Sequence, residues 1–254
     1  MILAVDIGNS NILVGGFEGE EPIFTARLST DPKGTEDEYA AKLAGIFQIR
    51  GVDPASVTGA ILSSVVPPLN RSMVRAVEYF CGVKPLVVGP GVKTGLNIRC
   101  DAPSSVGSDM ICACVAVLNR YGAPALIADL GTATKLIVLD SAGCFTGVSI
   151  CPGVTMGLNA LAEQTAQLPK VSLESPRWTV GKNTADSMRS GVILGHAAMI
   201  DGMIDRIREE TGTDLPVYAT GGMASLVTAH CRRSVTLDET LVLRGLYLLY
   251  QKNN

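Results

Sequence analysis

The sequence contains no block of basic residues, and this absence argues against one large class of function. Its 21 Lys and Arg residues are scattered along 254 positions and are outnumbered by 24 Asp and Glu residues. Proteins that bind nucleic acid usually carry a clustered basic surface with interleaved aromatic side chains, and only 5% of this chain is aromatic. We therefore expect no nucleic-acid partner.

Histidine and cysteine patterns typical of metal centres and catalytic triads are also missing. The two histidines, His196 and His230, stand alone, and the seven cysteines include no Cys-x-x-Cys pair. An odd number of cysteines, several of them in apolar segments, indicates buried thiols in a reducing cytosol. We predict neither a histidine- or cysteine-based metal site nor a nucleophilic triad.

Long apolar runs are absent as well, since charge or glycine interrupts each one before 18 residues. The N-terminus reaches Asp6 without the basic and apolar regions of a signal peptide. We expect no membrane partner and a cytoplasmic location. The mean hydropathy of +0.30 is high for so small a protein, which favours a homodimer in which a second copy covers apolar surface.

One short motif occurs twice, about half a chain apart. Residues 4–11 read AVDIGNSN and residues 128–134 read ADLGTAT, and each copy precedes an apolar run. A further segment with Phe-Thr follows each copy, at residues 24–25 and 145–146. A single Asp-x-Gly turn would be an ordinary hairpin, but a duplicated three-strand meander predicts two related lobes.

The tip of each hairpin has the chemistry of a phosphate site. Each motif places an Asp at the end of a buried strand, a Gly two residues later, and then small hydroxyl or amide residues. The Gly lets the backbone approach a ligand, and the polar side chains add donors to the N–H groups of the turn. Because an Asp would repel phosphate, its presence indicates a cation between carboxylate and phosphate. Two such tips facing each other would form a nucleotide clamp.

Hydrophobic periodicity and capping signals predict an α/β fold that repeats strand, strand, strand, helix, strand, helix, strand. Residues 90–121 lie between the two halves and are predicted to form a loop followed by a helix. The predicted strands are one that ends at Asp6, 12–14, a third around 24–25, 60–66, 86–88, about 125–129, 135–139 and 144–150, 217–219 and 235–237. The predicted helices are one from the capping box at 35–38 to Gly51, 69–80, one from about 155, about 184–211, one from 222, and about 239–251.

Three further positions have both a structural and a functional interpretation. Asp109, near the start of the inserted helix, would either complement the helix dipole or act as a general base. The Asn183-Thr184 pair opens the long helix and would either cap it or donate to a substrate. The Thr220-Gly221-Gly222 turn would be a simple strand-to-helix connection or a flat surface for a purine and ribose.

Together, these motifs resemble the acetate and sugar kinase, heat-shock chaperone and actin superfamily, and within it the type III pantothenate kinase family. The resemblance implies two lobes of duplicated ribonuclease H-like, actin-like ATPase topology, βββαβαβα. It places the first lobe at residues 1–100 and the second at 101–254, with a helical substrate segment at 101–121. It also implies transfer of the ATP γ-phosphate to the primary hydroxyl of pantothenate, giving 4′-phosphopantothenate in the first step of coenzyme A synthesis. The resemblance further implies a cytoplasmic homodimer that needs Mg²⁺ and a monovalent cation, K⁺ or NH₄⁺.

The resemblance also assigns roles to residues by position. Asp109 would be the catalytic base, Asp6 would hold Mg²⁺ through water, and Asp129 would hold the monovalent cation. The ATP-binding residues would be Asp6, Ile7, Gly8, Asn9, Ser10, Asn11, Ile12, Leu13, Thr132, Gly221 and Gly222. The pantothenate-binding residues would be Cys100, Gly107, Ser108, Asp109, Met110 and Thr184.

Two of these positions depart from the family pattern. Met110 stands where the family usually has Arg, and Cys100 stands where it usually has Tyr. Arg99 or Lys135 would be available nearby to supply the missing cation. The departures leave two alternatives to a pantothenate kinase: a nucleotide-binding regulator without catalysis, or a kinase of another small hydroxyl-bearing acceptor.

Overall fold

The computed structural model describes all 254 residues, which form ten strands and seven helices. The strands are β1 (Ile2–Ile7), β2 (Asn11–Phe17), β3 (Pro22–Ser29), β4 (Gly59–Ser64), β5 (Leu86–Val87), β6 (Ala125–Leu130), β7 (Ala133–Leu139), β8 (Phe145–Pro152), β9 (Val217–Thr220) and β10 (Thr236–Leu237). The helices are α1 (Glu36–Arg50), α2 (Pro67–Cys81), α3 (Ser108–Arg120), α4 (Val154–Gln164), α5 (Thr184–Thr211), α6 (Ala224–Thr228) and α7 (Leu241–Asn253). None of the helices combines the length and apolar character needed to cross a membrane.

The strands form two five-stranded sheets with the same topology. The first has the order β3-β2-β1-β4-β5, and the second, read in the same sense, β8-β7-β6-β9-β10. In each sheet the first three strands form an antiparallel meander, and the last two add in parallel to the first strand of that meander. The repeated motif is therefore the sequence signature of a repeated sheet, and the predicted duplication is confirmed.

The chain divides into two compact units. Unit 1 comprises residues 1–96, 101–120 and 240–254, and unit 2 comprises residues 97–100 and 121–239. The family resemblance implied one boundary between the lobes, at residue 100. The units of the structure differ from this division because α3 and α7 belong to unit 1. The two helices pack closely on each other, with Gly245 of α7 against the backbone of Cys112 of α3, and α7 also packs against β1.

Strand β1 lies at the centre of unit 1. All six of its residues are buried, and Leu3, Val5 and Ile7 pack in one hydrophobic cluster with α1 and α2. A strand covered by helices on both faces is expected to be continuously apolar, and β1 reads Ile-Leu-Ala-Val before its Asp. The polar end of the strand is therefore the exception that needs a functional explanation.

One carboxylate between β2 and β3 holds the ends of two helices in unit 1. Arg244 of α7, which is only 3% exposed, donates to both carboxylate oxygens of Glu21 at 2.9 Å. Arg120, the last residue of α3, donates to Oε1 of Glu21 at 2.7 Å. These hydrogen bonds, from Arg244 first and then Arg120, lower the pKa of Glu21 to about 2. The carboxylate thus remains charged and fixes both helices.

A partly buried histidine supports the second hairpin in unit 2. Nε2 of His196, on α5, lies 2.7 Å from Oγ1 of Thr134, which is fully buried on β7. Burial lowers the pKa of His196 below its ordinary value. The ring is therefore neutral at pH 7. This histidine, which no sequence motif explains, thus has a structural contact.

Replacing Gly245 by Ala should destabilise the protein by about 1 to 3 kcal/mol, because the new methyl group would overlap the Cys112 backbone. The matched control is Gly45→Ala in α1, where nothing lies within 4 Å of the added atom. That change should stabilise the protein by up to about 1 kcal/mol through helix propensity. Urea denaturation measures both, and equal effects would show that α3 and α7 do not pack as described.

Acid should weaken the packing around His196. Because its pKa is lower in the folded than in the unfolded chain, the stability it contributes is present above the unfolded value and is lost as the pH falls below it. Between about pH 7.5 and pH 5.5 the wild type should lose more stability than His196→Gln, which cannot be protonated. His230→Gln is the control and should follow the wild type; a His196→Gln curve parallel to the wild type would contradict the expectation.

Candidate active site

The first hairpin tip is formed by the three residues between β1 and β2. The N–H of Gly8 donates to the carbonyl of Asn11 at 3.0 Å, which closes the turn. Thr30, directly after β3, holds the tip twice: its hydroxyl donates to the Gly8 carbonyl at 2.7 Å and its N–H donates to the Ser10 carbonyl at 3.1 Å. The side chain of Asn9 is exposed. Sequence reasoning missed Thr30, whose only signal is a hydroxyl residue at the end of the meander.

The predicted ATP-binding residues of this hairpin divide into two groups. Ile7 and Ile12 are opposite each other in the β-ladder and are fully buried in the core of unit 1. Only their backbone could therefore meet a nucleotide. The residues at the tip, from Asn9 to Asn11, are exposed, whereas Asp6 is 9% exposed at the end of its strand. The polar contact surface is thus the tip itself.

Asp109 is fixed beside the same sheet edge as Asp6. In the parallel pairing of β1 and β4, Asp6 is opposite Ser63. Oγ of Ser63 lies 2.8 Å from Oγ of Ser108, which is the first residue of α3 and donates to the Ser64 carbonyl at 3.3 Å. Asp109 is the next residue, so unit 1 brings the predicted base to the strand ends that carry the first phosphate hairpin.

A buried cysteine thiol is close enough to both Asp6 and Asp109 for their charges to affect its pKa. Cys112 of α3 is fully buried. Burial is the main reason that its pKa is raised well above the ordinary value, and the negative charges of Asp6 and Asp109 raise this pKa further. The thiol is therefore neutral beside two acidic side chains. Such a group is inert and does not compete with the carboxylates for a cation.

The predicted substrate residues beside Asp109 are tightly packed. Oδ1 of Asp109 accepts from the N–H of Met110 at 2.8 Å, which orients the carboxylate. A Cβ on Gly107 would lie 2.5 Å from the same oxygen, so a side chain there would push the carboxylate away. Met110 is 8% exposed and contributes its side chain to the interior of unit 1. The position at which the family usually has Arg is therefore apolar.

The other two predicted substrate residues lie in unit 2. Thr184 is the first residue of α5 and its side chain is exposed. The cap of this helix is Asn183, whose Oδ1 accepts from the Asp186 N–H at 2.9 Å. The Thr184 side chain therefore has no capping role. Cys100 is partly buried and follows Arg99, which donates its N–H to Phe145 at the start of β8.

The second hairpin has the same strand pairing as the first, a turn that is one residue shorter, and one added charge. The N–H of Gly131 donates to the Ala133 carbonyl at 3.2 Å, and Thr132 lies at the tip. Asp129, at the end of β6, is opposite Lys135 of β7. The Lys135 ammonium donates to Oδ2 of Asp129 at 2.7 Å.

The predicted adenosine turn lies against this second hairpin. Thr220 of β9 is paired with Asp129 of β6. Gly221 has φ of +98°, and a Cβ there would lie 2.6 Å from the Leu130 carbonyl oxygen and 2.8 Å from Oδ1 of Asp129. Only glycine allows this approach at this backbone angle. Unit 2 therefore brings together Asp129, Thr132 and the Thr-Gly-Gly turn, although α6 begins two residues later than predicted and has only five residues.

The two residues suggested as substitutes for a missing arginine are both paired in unit 2. Arg99 forms an ion pair of 3.7 Å with Asp140. Asp140 follows the end of β7, whereas the hairpin tip precedes its start. Lys135 is held by Asp129. This arrangement gives no support to either residue as the replacement for the cation absent at Met110.

Comparison with known proteins gives a consistent family. A family model described as type III pantothenate kinase matches residues 2–206. A type III pantothenate kinase of Brevibacillus brevis is 41% identical over 253 residues, covering 100% of this chain and 99% of the relative. One of Myxococcus xanthus is 39% identical over 254 residues, with coverage of 100% and 99%.

A solved structure shows the same fold at low identity. The activator of the 2-hydroxyisocaproyl-CoA dehydratase from Clostridium difficile, with bound ADPNP, has a TM-score of 0.59 at 12% identity, covering 98% of this chain and 94% of that one. The match supports the predicted two-lobed, actin-like α/β class. From the family match and the full-length relatives, we conclude that this chain belongs to the type III pantothenate kinase family.

Proposed function

We propose that this chain transfers the γ-phosphate of ATP to the primary hydroxyl group of pantothenate, giving 4′-phosphopantothenate in the first step of coenzyme A synthesis. The observation that carries the proposal is full-length similarity to type III pantothenate kinases, at 41% identity over 253 residues for the Brevibacillus relative. Phosphoryl transfer depends mainly on positioning and on neutralisation of charge. The residues of the two units are suited to both tasks.

The ATP phosphates would contact the two hairpin tips. Asn9, Ser10 and Asn11 place exposed amide and hydroxyl groups beside the backbone of the first tip, and Thr132 adds a hydroxyl at the second. Such groups are the donors that phosphate oxygens accept from. Gly221 and Gly222, packed beside the second hairpin, would present a surface without side chains to the adenosine.

The acidic residues of the chain are compatible with an Mg²⁺ ion that is bound mainly by the phosphates of ATP. No group of three or more His, Cys, Asp or Glu side chains in the chain could hold a metal by itself. Mg²⁺ is usually bound by one or two carboxylates together with substrate phosphates and water. Asp6, at the end of β1, would supply the protein carboxylate, through water. When bound, Mg²⁺ neutralises charge on the phosphates.

Asp109 would accept the proton of the attacking hydroxyl. Its place at the start of α3, on the sheet edge that carries Asp6, is set by the Ser63–Ser108 hydrogen bond. The N–H of Met110 orients the carboxylate. A positioned carboxylate of this kind typically accelerates a reaction by about 10² to 10⁴ as a general base.

The acceptor would be held by Gly107, Ser108, Met110, Cys100 and Thr184. Pantothenate carries a carboxylate, and an arginine often binds such a group through two parallel, bidentate hydrogen bonds. The buried, apolar Met110 cannot form them. This substitution is the specific observation that favours a second candidate, a kinase of a different small hydroxyl-bearing acceptor. A nucleotide-binding regulator without turnover is the third possibility for the same site.

We also propose that the chain acts in the cytoplasm as a homodimer. The family resemblance and the mean hydropathy of +0.30 support this assembly, because a second copy would cover apolar surface. Exposed apolar side chains such as Ile150 and Val180, which are 62% and 81% exposed, agree with it.

The acceptor is tested by following ADP release from the purified chain with Mg²⁺-ATP and a panel of hydroxyl-bearing acids and sugars. We expect release that depends on pantothenate and gives a phosphorylated product detectable by mass spectrometry. If ADP is released only with another acceptor, that acceptor and not pantothenate is the substrate. Tight binding of ATP without release in any mixture would support the regulator.

The role of Asp109 is tested by Asp109→Asn. We expect kcat to fall by about 10² to 10⁴ with nearly unchanged affinity for ATP, because the amide cannot accept the proton. The matched control is Asp37→Asn, since Asp37 occupies the same second position of α1 and is exposed. If both variants retain full kcat and lose similar stability, Asp109 only complements its helix dipole.

A further inference from the structure

The second hairpin carries a positive side chain where the first has an apolar one. The two hairpins have equivalent pairing: Asp6 is opposite Leu13, and Asp129 is opposite Lys135. Residues directly opposite in an antiparallel pair project from the same face of the sheet. The first hairpin, whose turn is one residue longer, forms with leucine opposite its aspartate, so pairing of the two strands does not by itself require a lysine at this position. The charge therefore needs its own explanation.

The lysine forms a close and largely buried ion pair. Nζ of Lys135 lies 2.7 Å from Oδ2 of Asp129, and the two side chains are only 18% and 13% exposed. The other carboxylate oxygen, Oδ1, lies against the Gly221 turn, 2.8 Å from where a Cβ would stand. Both oxygens of the carboxylate are thus in packed surroundings, and one of them already has a cationic partner.

This arrangement does not fit the monovalent cation that the family resemblance implies at Asp129. An ammonium group and a K⁺ or NH₄⁺ ion carry the same charge and bind the same oxygen. A second cation beside Lys135 would be repelled, and the repulsion is strong where solvent is largely excluded. The family's cation and this chain's lysine therefore compete for one position.

We infer that the ammonium group of Lys135 takes the place of the monovalent cation at Asp129, so that this chain binds its nucleotide without added K⁺ or NH₄⁺. The inference rests on the proposed function only in taking the second hairpin as a nucleotide site. A tethered ammonium supplies one positive charge and N–H donors at Asp129, whose other oxygen lies against the Gly221 turn. Unlike a free ion, it is present at every salt concentration.

The first test needs no nucleotide. The melting temperature of the full-length chain is measured in KCl, NH₄Cl and tetramethylammonium chloride at equal ionic strength, because tetramethylammonium is too large for the site and has no N–H donor. The wild type should melt at the same temperature in all three. Lys135→Met, which keeps the length of the side chain without its charge, should be stabilised by K⁺ or NH₄⁺, since Asp129 is then open to an ion.

The second test adds the non-hydrolysable analogue ADPNP with Mg²⁺ and measures its Kd by calorimetry in the same salts. The wild type Kd should not depend on the salt. For Lys135→Met we expect affinity to fall by about tenfold or more in tetramethylammonium chloride and to recover with K⁺, NH₄⁺ or methylammonium. Lys170→Met is the control, because it removes the same charge from an exposed position of unit 2 and should behave as the wild type.

Specific stabilisation of the wild type by K⁺ or NH₄⁺, or tighter ADPNP binding by the wild type in these salts, would overturn the inference. These wild-type measurements require no variant and so do not depend on the folding of Lys135→Met. A Lys135→Met protein that responds to no cation would overturn it as well. Failure to bind ADPNP in any salt would instead reject the proposed function. The melting temperatures would still decide whether Lys135 or a free cation binds the Asp129 carboxylate.

Discussion

The attachment of α3 to the end of β4 is the contact on which the chemistry of unit 1 depends. The Ser63–Ser108 hydrogen bond places the first turn of the helix beside the sheet edge at which Asp6 is the last residue but one of β1. At its other end, α3 is tied through Arg120 to Glu21, the carboxylate that also binds Arg244 of α7. With both ends of α3 fixed, Asp109 has a defined position next to the phosphate hairpin. A general base must be held within hydrogen-bonding reach of its substrate, and the residue proposed for this role is held by rigid elements.

The duplicated hairpins share their strand pairing but differ in charge and in the length of the turn. Each begins from a buried strand, turns at a glycine and returns in an antiparallel strand. The first is braced by Thr30 through two hydrogen bonds to its tip. The second is braced by the contact of Thr134 with His196, and carries the Lys135 ammonium beside its aspartate. The same strand pairing thus supports two different electrostatic settings, one in each unit.

The residues that do not fit the family resemblance concern the acceptor and the cation more than the nucleotide. Met110 is an apolar residue inside unit 1 where the resemblance implies Arg, and Lys135 of unit 2 is paired with the aspartate to which the resemblance assigns a monovalent cation. Residues at the hairpin tips and at the Thr-Gly-Gly turn follow the motif on which the resemblance is based. Because phosphoryl transfer relies on positioning and electrostatics, a chain can retain its nucleotide site while its requirements for acceptor and cation change.

The sequence by itself determined the duplication, the strands that end within one residue of Asp6 and Asp129, and the extent of α5, since these follow from local patterns of apolar residues, glycine and caps. It did not determine that α3 and α7 pack with the first sheet, because that depends on a close approach at Gly245 to a residue more than a hundred positions away. Nor could it identify Thr30 as the brace of the first tip. The pairing of Lys135 with Asp129 was likewise decided by strand register, since the six-residue separation places them opposite each other only once the turn has formed.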